Sequence, residues 1–236
     1  MPGIFITFEG IEGCGKTTQA RLLHKYLKKR FRTVVLTREP GGAGITAQIR
    51  RILLDPRNSK LAPLAELFLY LADRAQHMRE LVKPTLAGGG IVICDRHADA
   101  SVAYQGVGRG IGFDKTRRLN SLATGGVRPN LTFLLDVPPD IGLKRVLGRR
   151  RIPDRMENEK IVFYNRVRKG YLRLAKMEKQ RITVINGLLP REKIHEMIID
   201  EVEEVLSQKR SPHPALSPRG EDETSPSPYP LPKGRG

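Results

Sequence analysis

Gly10-Ile11-Glu12-Gly13-Cys14-Gly15-Lys16-Thr17 constrains this chain more than any other stretch. It fits the spacing G-x-x-x-x-G-K-[ST], and its flanks suit that pattern. Gly3-Ile4-Phe5-Ile6-Thr7-Phe8 before it reads as a short buried strand, and Thr18-Gln19-Ala20-Arg21-Leu22-Leu23 after it opens a helix. Glycines in such a turn let the backbone wrap phosphate oxygens with successive N–H groups pointing inward. The helix N-terminus adds partial positive charge. Lys16 is placed to reach the outer phosphates, and the Thr17 hydroxyl to serve Mg2+. Gly10, Ile11, Glu12, Gly13, Cys14, Gly15, Lys16, Thr17 and Thr18 are therefore expected to bind ATP with magnesium.

Apolar runs alternate with helical patterns along the rest of the chain. Thr33–Thr37, Ile91–Cys94, Leu131–Leu135 and Ile182–Ile185 read as four further strands, nearly continuous in hydrophobic residues. Helical segments separate them, including Leu61 to Leu86 and Glu157 to Lys179. In the latter, Tyr164, Val167, Tyr171 and Leu174 recur at spacings of three and four. This alternation predicts an α/β fold, a doubly wound five-stranded parallel sheet of P-loop NTPase type with helices on both faces. Ligands then gather at the carboxyl ends of the strands.

The 236 residues carry a formal net charge of +17. Such a surface suits either nucleic acid or a polyanionic nucleotide. No nucleic-acid module signature and no row of stacking aromatics is present, so the reading favours nucleotide phosphates and no specific nucleic acid. No apolar run nears the roughly 20 residues that span a bilayer, so no membrane association is expected. Only two cysteines occur, Cys14 and Cys94, and no leader pattern precedes the first strand. The expected compartment is cytoplasmic, with two thiols. Residues 207–236 are rich in proline and lack apolar periodicity, which predicts a disordered tail after a domain spanning 1–206.

Further motifs lie where strands end. Asp95 follows the third strand and suits the magnesium shell beside Thr17, or else caps a helix or pairs with Arg96. Arg96 suits bidentate phosphate recognition, or a surface ion pair. Thr37-Arg38-Glu39-Pro40-Gly41-Gly42 closes the second strand in a turn. Tyr70 and Arg74 share a helix face; Tyr70 is placed either to stack on a base or to fill the core. Ser101, Tyr104 and Gln105 follow the third strand, and Arg149-Arg150-Arg151-Ile152-Pro153-Asp154-Arg155 lies downstream, a run that also reads as a solvated basic face.

In this order and spacing, from about residue 3 to about 206, these elements resemble thymidylate kinase. The resemblance implies transfer of phosphate from ATP-Mg to dTMP, and a homodimer. It implies a dTMP site made of Glu12, Arg38, Glu39, Pro40, Arg50, Tyr70, Arg74, Arg96, Ser101, Tyr104 and Gln105. In that site Arg96 holds the acceptor phosphate, Tyr70 stacks on thymine, Arg74 donates to its O4 and Glu12 accepts from the 3′-hydroxyl. Arg50 also reads as a solvated helix arginine. One branch of the family carries a catalytic arginine where this chain has Gly13. The resemblance is therefore to the bacterial type, with catalytic charge from Lys16, Arg96 and the lid arginines Arg149, Arg150, Arg151 and Arg155, on a lid at about 148–157. Kinases of other nucleoside monophosphates, and a basic nucleotide- or nucleic-acid-binding ATPase, are the alternatives.

Overall fold

The computed structural model describes residues 3–148 and 153–210, and side chains to Gln208. Five strands form one sheet: β1 (Ile4–Glu9), β2 (Val34–Arg38), β3 (Ile91–Asp95), β4 (Leu131–Asp136) and β5 (Ile182–Asn186). Their order is β2-β3-β1-β4-β5, and every pairing is parallel. All five strands expected from apolar runs are present. Each continues one residue beyond its run, to Glu9, Arg38, Asp95, Asp136 and Asn186. Pairing carries on there, with Phe8 and Arg38 both in register with Asp95. The ladder's backbone bonds do not depend on apolar side chains, so these polar termini end up at the mouth of the sheet.

The helices are α1 (Lys16–Lys28), α2 (Thr46–Leu54), α3 (Pro63–His77), α4 (Lys83–Ala87), α5 (Ala98–Ser101), α6 (Phe113–Thr124), α7 (Pro139–Leu147), α8 (Ile161–Met177) and α9 (Arg191–Arg210). A π-helical turn, Met78–Val82, joins α3 to α4, and another, Val102–Gly108, continues α5. Helix α8 begins four residues later than its pattern suggested.

Alternation along β1 divides the core. Ile4, Ile6 and Phe8 face α1 and α9, meeting Leu23, Leu27, Ile198 and Val202. Phe5 faces the other layer with Met78, Val82 and Val92. A third cluster, with Tyr104, Phe163, Tyr164, Val167 and Tyr171, packs α8 against the π-turn after α5. The apolar stripe expected on α8 is thus its buried face. Helices cover both faces, as expected. Helix α9 runs to Arg210, into the segment read as tail, and residues 211–236 lie outside the described residues.

Candidate active site

The central strand delivers the phosphate loop. Gly10, Gly13 and Gly15 all have positive φ, at 136°, 73° and 99°, conformations that favour glycine. Between them, Ile11 is buried in one apolar cluster and Cys14 in the opposite one. These two side chains pin the loop to both layers of the fold and leave its backbone to line the site. Lys16 Nζ donates to Ile11 O at 2.9 Å and lies 3.8 Å from Glu12 Oε2. Thr17 Oγ1 donates to Asp95 Oδ2. Both oxygens expected to serve magnesium therefore meet at one point. Thr18 is exposed on the first turn of α1.

A cavity of about 440 Å³ opens beside the loop. Lys16, Thr17 and Asp95 are among its lining residues, and Arg38, Arg50 and Arg96 add charge. Glu39, Pro40, Tyr70, Arg74, Ser101, Tyr104 and Gln105 also line it, together with Glu12. Every residue assigned to the acceptor site from sequence therefore borders one space.

Arg96 holds the centre. It is the one non-glycine residue with positive φ among the described residues, at 72°, a backbone state costing about 1–3 kcal/mol that needs surrounding support. Its guanidinium supplies that support. Nη1 donates to Gly10 O (3.0 Å) and Tyr171 Oη (3.3 Å), and Nη2 to Glu12 Oε1 (2.7 Å) and Tyr104 Oη (3.2 Å). Burial works against the Glu12 carboxylate, but Arg96 and Lys16 outweigh it and bring its pKa to about 2. A carboxylate in an anion-binding loop is thereby neutralised by two cations. Arg50 donates to Pro40 O at 2.8 Å, and its charge is disfavoured first by burial and then by Arg38. An anion between these two arginines would relieve that repulsion.

Arg74 is more deeply committed than its sequence role suggested. It donates through Nε to Glu39, through Nη1 to Ser101 and Asn120, and through Nη2 to His97 O. Glu39 also meets His77 Nδ1 and His97 Nδ1, both at 2.9 Å. Burial opposes its charge, but Arg74 and His97 outweigh that and hold its pKa well below the ordinary range. Tyr70, open on two readings from sequence, is half-buried and lines the cavity rather than filling the core.

Arg155 is not brought into the cavity. Its backbone N–H donates to Leu54 O (3.0 Å), and its guanidinium to Leu53 O (2.7 Å) and Glu66 Oε2 (2.6 Å). It anchors the segment from residue 153 onward against α2 and α3, while Asp154, Met156 and Glu157 border the cavity. Arg149, Arg150 and Arg151 lie outside the described residues.

Several residues escaped the sequence reading. Glu9 accepts from His97 N (2.7 Å) and Tyr171 Oη (2.8 Å). Arg145 Nη1 donates to Gly13 O (3.4 Å) and Gly187 O (3.2 Å), spanning the phosphate loop and the turn after β5. Arg21 lines the cavity one helical turn after Thr17, a spacing that could have flagged it. Glu66, buried on α3, had no signal beyond lying four residues before Tyr70. Among the described residues, no group of three or more His, Cys, Asp or Glu could hold a metal, and no helix is long and apolar enough to cross a membrane.

A glycine-rich loop at the centre of a parallel sheet, opening onto a cavity lined by further arginines, defines a P-loop enzyme of the nucleoside monophosphate kinase class. The family model described as thymidylate kinase matches residues 8–198. The chain is 54% identical over 191 residues to the thymidylate kinase of Geotalea daltonii, covering 78% of this chain and 89% of that one. It is 49% identical over 208 residues to that of Desulfosudis oleivorans, covering 86% and 97%. The crystal structure of thymidylate kinase from Ehrlichia chaffeensis superposes with a TM-score of 0.71 at 36% identity, covering 86% of this chain and 99% of that one. The chain belongs to the thymidylate kinase family.

Proposed function

We propose that this enzyme transfers the outer phosphoryl group of ATP to dTMP, giving ADP and dTDP. The observation that carries this reading is one cavity bordered both by Lys16 and Thr17 and by Tyr70, Arg74 and Gln105. Donor phosphates and an acceptor nucleotide can meet there without an enzyme-bound intermediate.

The acceptor phosphate is its own nucleophile. With a second pKa of about 6 it is largely ionised at neutral pH, so no general base is needed. Catalysis then rests on alignment and charge neutralisation. Lys16 reaches from beneath the loop toward the outer phosphates. Arg96, braced by Gly10 O and Glu12, holds the acceptor phosphate in line, with Arg38 and Arg50 on its other side. Tyr70 stacks on the base, Arg74 and Gln105 read its edge, and Ser101, Tyr104 and Glu12 border the sugar. Arg149, Arg150 and Arg151 supply lid charge. Arg155 braces the lid and does not touch the reacting atoms.

Thr17 and Asp95 suit Mg2+, which takes hard oxygen donors and shares its shell with phosphates and water. The metal would supply charge neutralisation between the donor phosphates. Buried, unpaired Cys14 and Cys94 support a reducing cytoplasmic setting. A homodimer is supported by the apolar side chains left exposed on neighbouring α2 and α3: Ile52 (46% exposed), Leu64 (43%) and Phe68 (52%).

Coupled ADP release with dTMP, dUMP, UMP, AMP and GMP, with and without Mg2+, tests the reaction. Magnesium-dependent release with dTMP well above the purine nucleotides is expected. Equal release with AMP or GMP, or release independent of any monophosphate, would overturn it.

A further inference from the structure

Gln105 lines the cavity but is only 1% exposed, and its Nε2 donates to Glu66 Oε1 at 2.8 Å. An ionised carboxylate can only accept. Glu66 is fully buried, and Arg109 and Arg155 keep it charged, with Nη2 and Nη1 at 3.1 and 2.6 Å from Oε2. The Gln105 amide cannot turn over without placing its carbonyl oxygen against that carboxylate. No protein donor meets Oε1 among the described residues, so Oε1 is the end left for a ligand.

The neighbouring Arg74 has the opposite polarity. Four of its N–H groups are bound to Glu39, Ser101, Asn120 and the His97 carbonyl. A guanidinium has five, so one, on Nη2, is left. The cavity therefore offers a fixed acceptor and a fixed donor. A pyrimidine with N3–H and a C4 carbonyl presents the complementary pair. Cytosine presents the reverse, a bare N3 and an amino group.

We propose that Glu66 is a specificity-determining positioning residue: by locking the Gln105 amide it makes the site accept thymine- or uracil-type bases and reject cytosine. Glu66 never touches the nucleotide. The inference rests on the proposed dTMP site and adds the residue that sets its hydrogen-bond polarity.

The test compares kcat/KM for dTMP and dCMP in the wild-type chain, Glu66→Gln and Arg109→Gln. Wild-type turnover of dTMP tests the reaction itself; only the dTMP/dCMP ratio tests Glu66. With Gln at 66 the Gln105 amide is free to present either end, and the ratio should fall about tenfold or more. Arg109→Gln removes a cation from the same carboxylate but keeps its bond to Gln105, so its ratio should stay at the wild-type value whatever its melting temperature. A folded Glu66→Gln with the wild-type ratio, or an equal fall in both variants, would overturn the proposal. Should Glu66→Gln not fold, wild-type NMR decides. Gln105 side-chain amide protons, assigned by their loss in Gln105→Leu, should exchange slowly in the free enzyme and stay as slow when dTMP binds, because their bond to Glu66 is kept. Amide protons that exchange fast in the free enzyme, or that leave Glu66 and shift when dTMP binds, would overturn it.

Discussion

Gly13 and Gly142 meet backbone to backbone. A Cβ on Gly13 would lie 2.1 Å from Gly142 O, and one on Gly142 would lie 2.5 Å from Glu12 O. Helix α7 is thus seated directly on the phosphate loop. A side chain at position 13 is excluded twice, by that carbonyl and by the positive φ. Charge for the transfer has to come from elsewhere, which fits the arginine run Arg149-Arg150-Arg151 in the sequence after α7. Gly142→Ala should displace the loop, costing about 1–3 kcal/mol of stability and raising the KM for ATP more than that for dTMP. Thermal melting and steady-state kinetics check both.

Lys16→Ala should lose at least about 100-fold in kcat, the scale seen when one preorganised charge-stabilising donor is removed. Lys16 makes its bonds within the loop, to Ile11 O and beside Glu12, so circular dichroism should remain that of the wild type. Wild-type turnover in this variant would remove the phosphate loop from the mechanism.

Arg155 and the preceding arginines should separate cleanly. Arg155→Ala leaves the buried Glu66 carboxylate short of a partner, and loss of one member of a buried pair costs about 3–5 kcal/mol. Its melting temperature should fall markedly. Arg149→Ala, Arg150→Ala and Arg151→Ala should leave melting unchanged, and at least one should lower kcat. A loss of kcat in Arg155→Ala with unchanged melting would return Arg155 to the reacting atoms.

Burial and the nearby Asp99 push the Glu9 carboxyl up to about 8, against the pull of Arg96 and the bonds from Tyr171 and His97. Between its ordinary value near 4.5 and about 8, the folded chain holds a proton that the unfolded chain has released. Stability from this group is therefore complete at the acid end of that window. It is lost as pH rises, by at most about 1.4 kcal/mol per pH unit. Glu9→Gln should flatten the fall in melting temperature between about pH 5 and about pH 8. An unchanged slope would show that Glu9 ionises normally.

Phe68 is 52% exposed on α3. Phe68→Glu should shift sedimentation from a dimer toward a monomer without altering the far-ultraviolet spectrum. A monomeric wild-type chain would rule out the dimer.

Features set by neighbours in the chain were legible in the sequence. The phosphate loop needs its glycines, Lys16 and Thr17 at set spacings, because one stretch of backbone makes the site. The five strands followed from apolar runs, because a sheet covered on both faces tolerates little else. The residues that the resemblance assigned to the acceptor site border one cavity. Arg38 and Arg96 lie where strands end, which a parallel sheet gathers at one edge, whereas Arg50, Tyr70 and Arg74 reach it from helices. Only the tertiary structure decided how buried charges are neutralised. Glu66 meets Gln105 across 39 residues and Arg155 across 89. A buried charge takes whichever partner the packing brings within about 3 Å. That is why Arg155 pairs with Glu66 and does not line the cavity, why Arg74 is bound mainly to protein, and why Gln105 spends its donor on a carboxylate of α3.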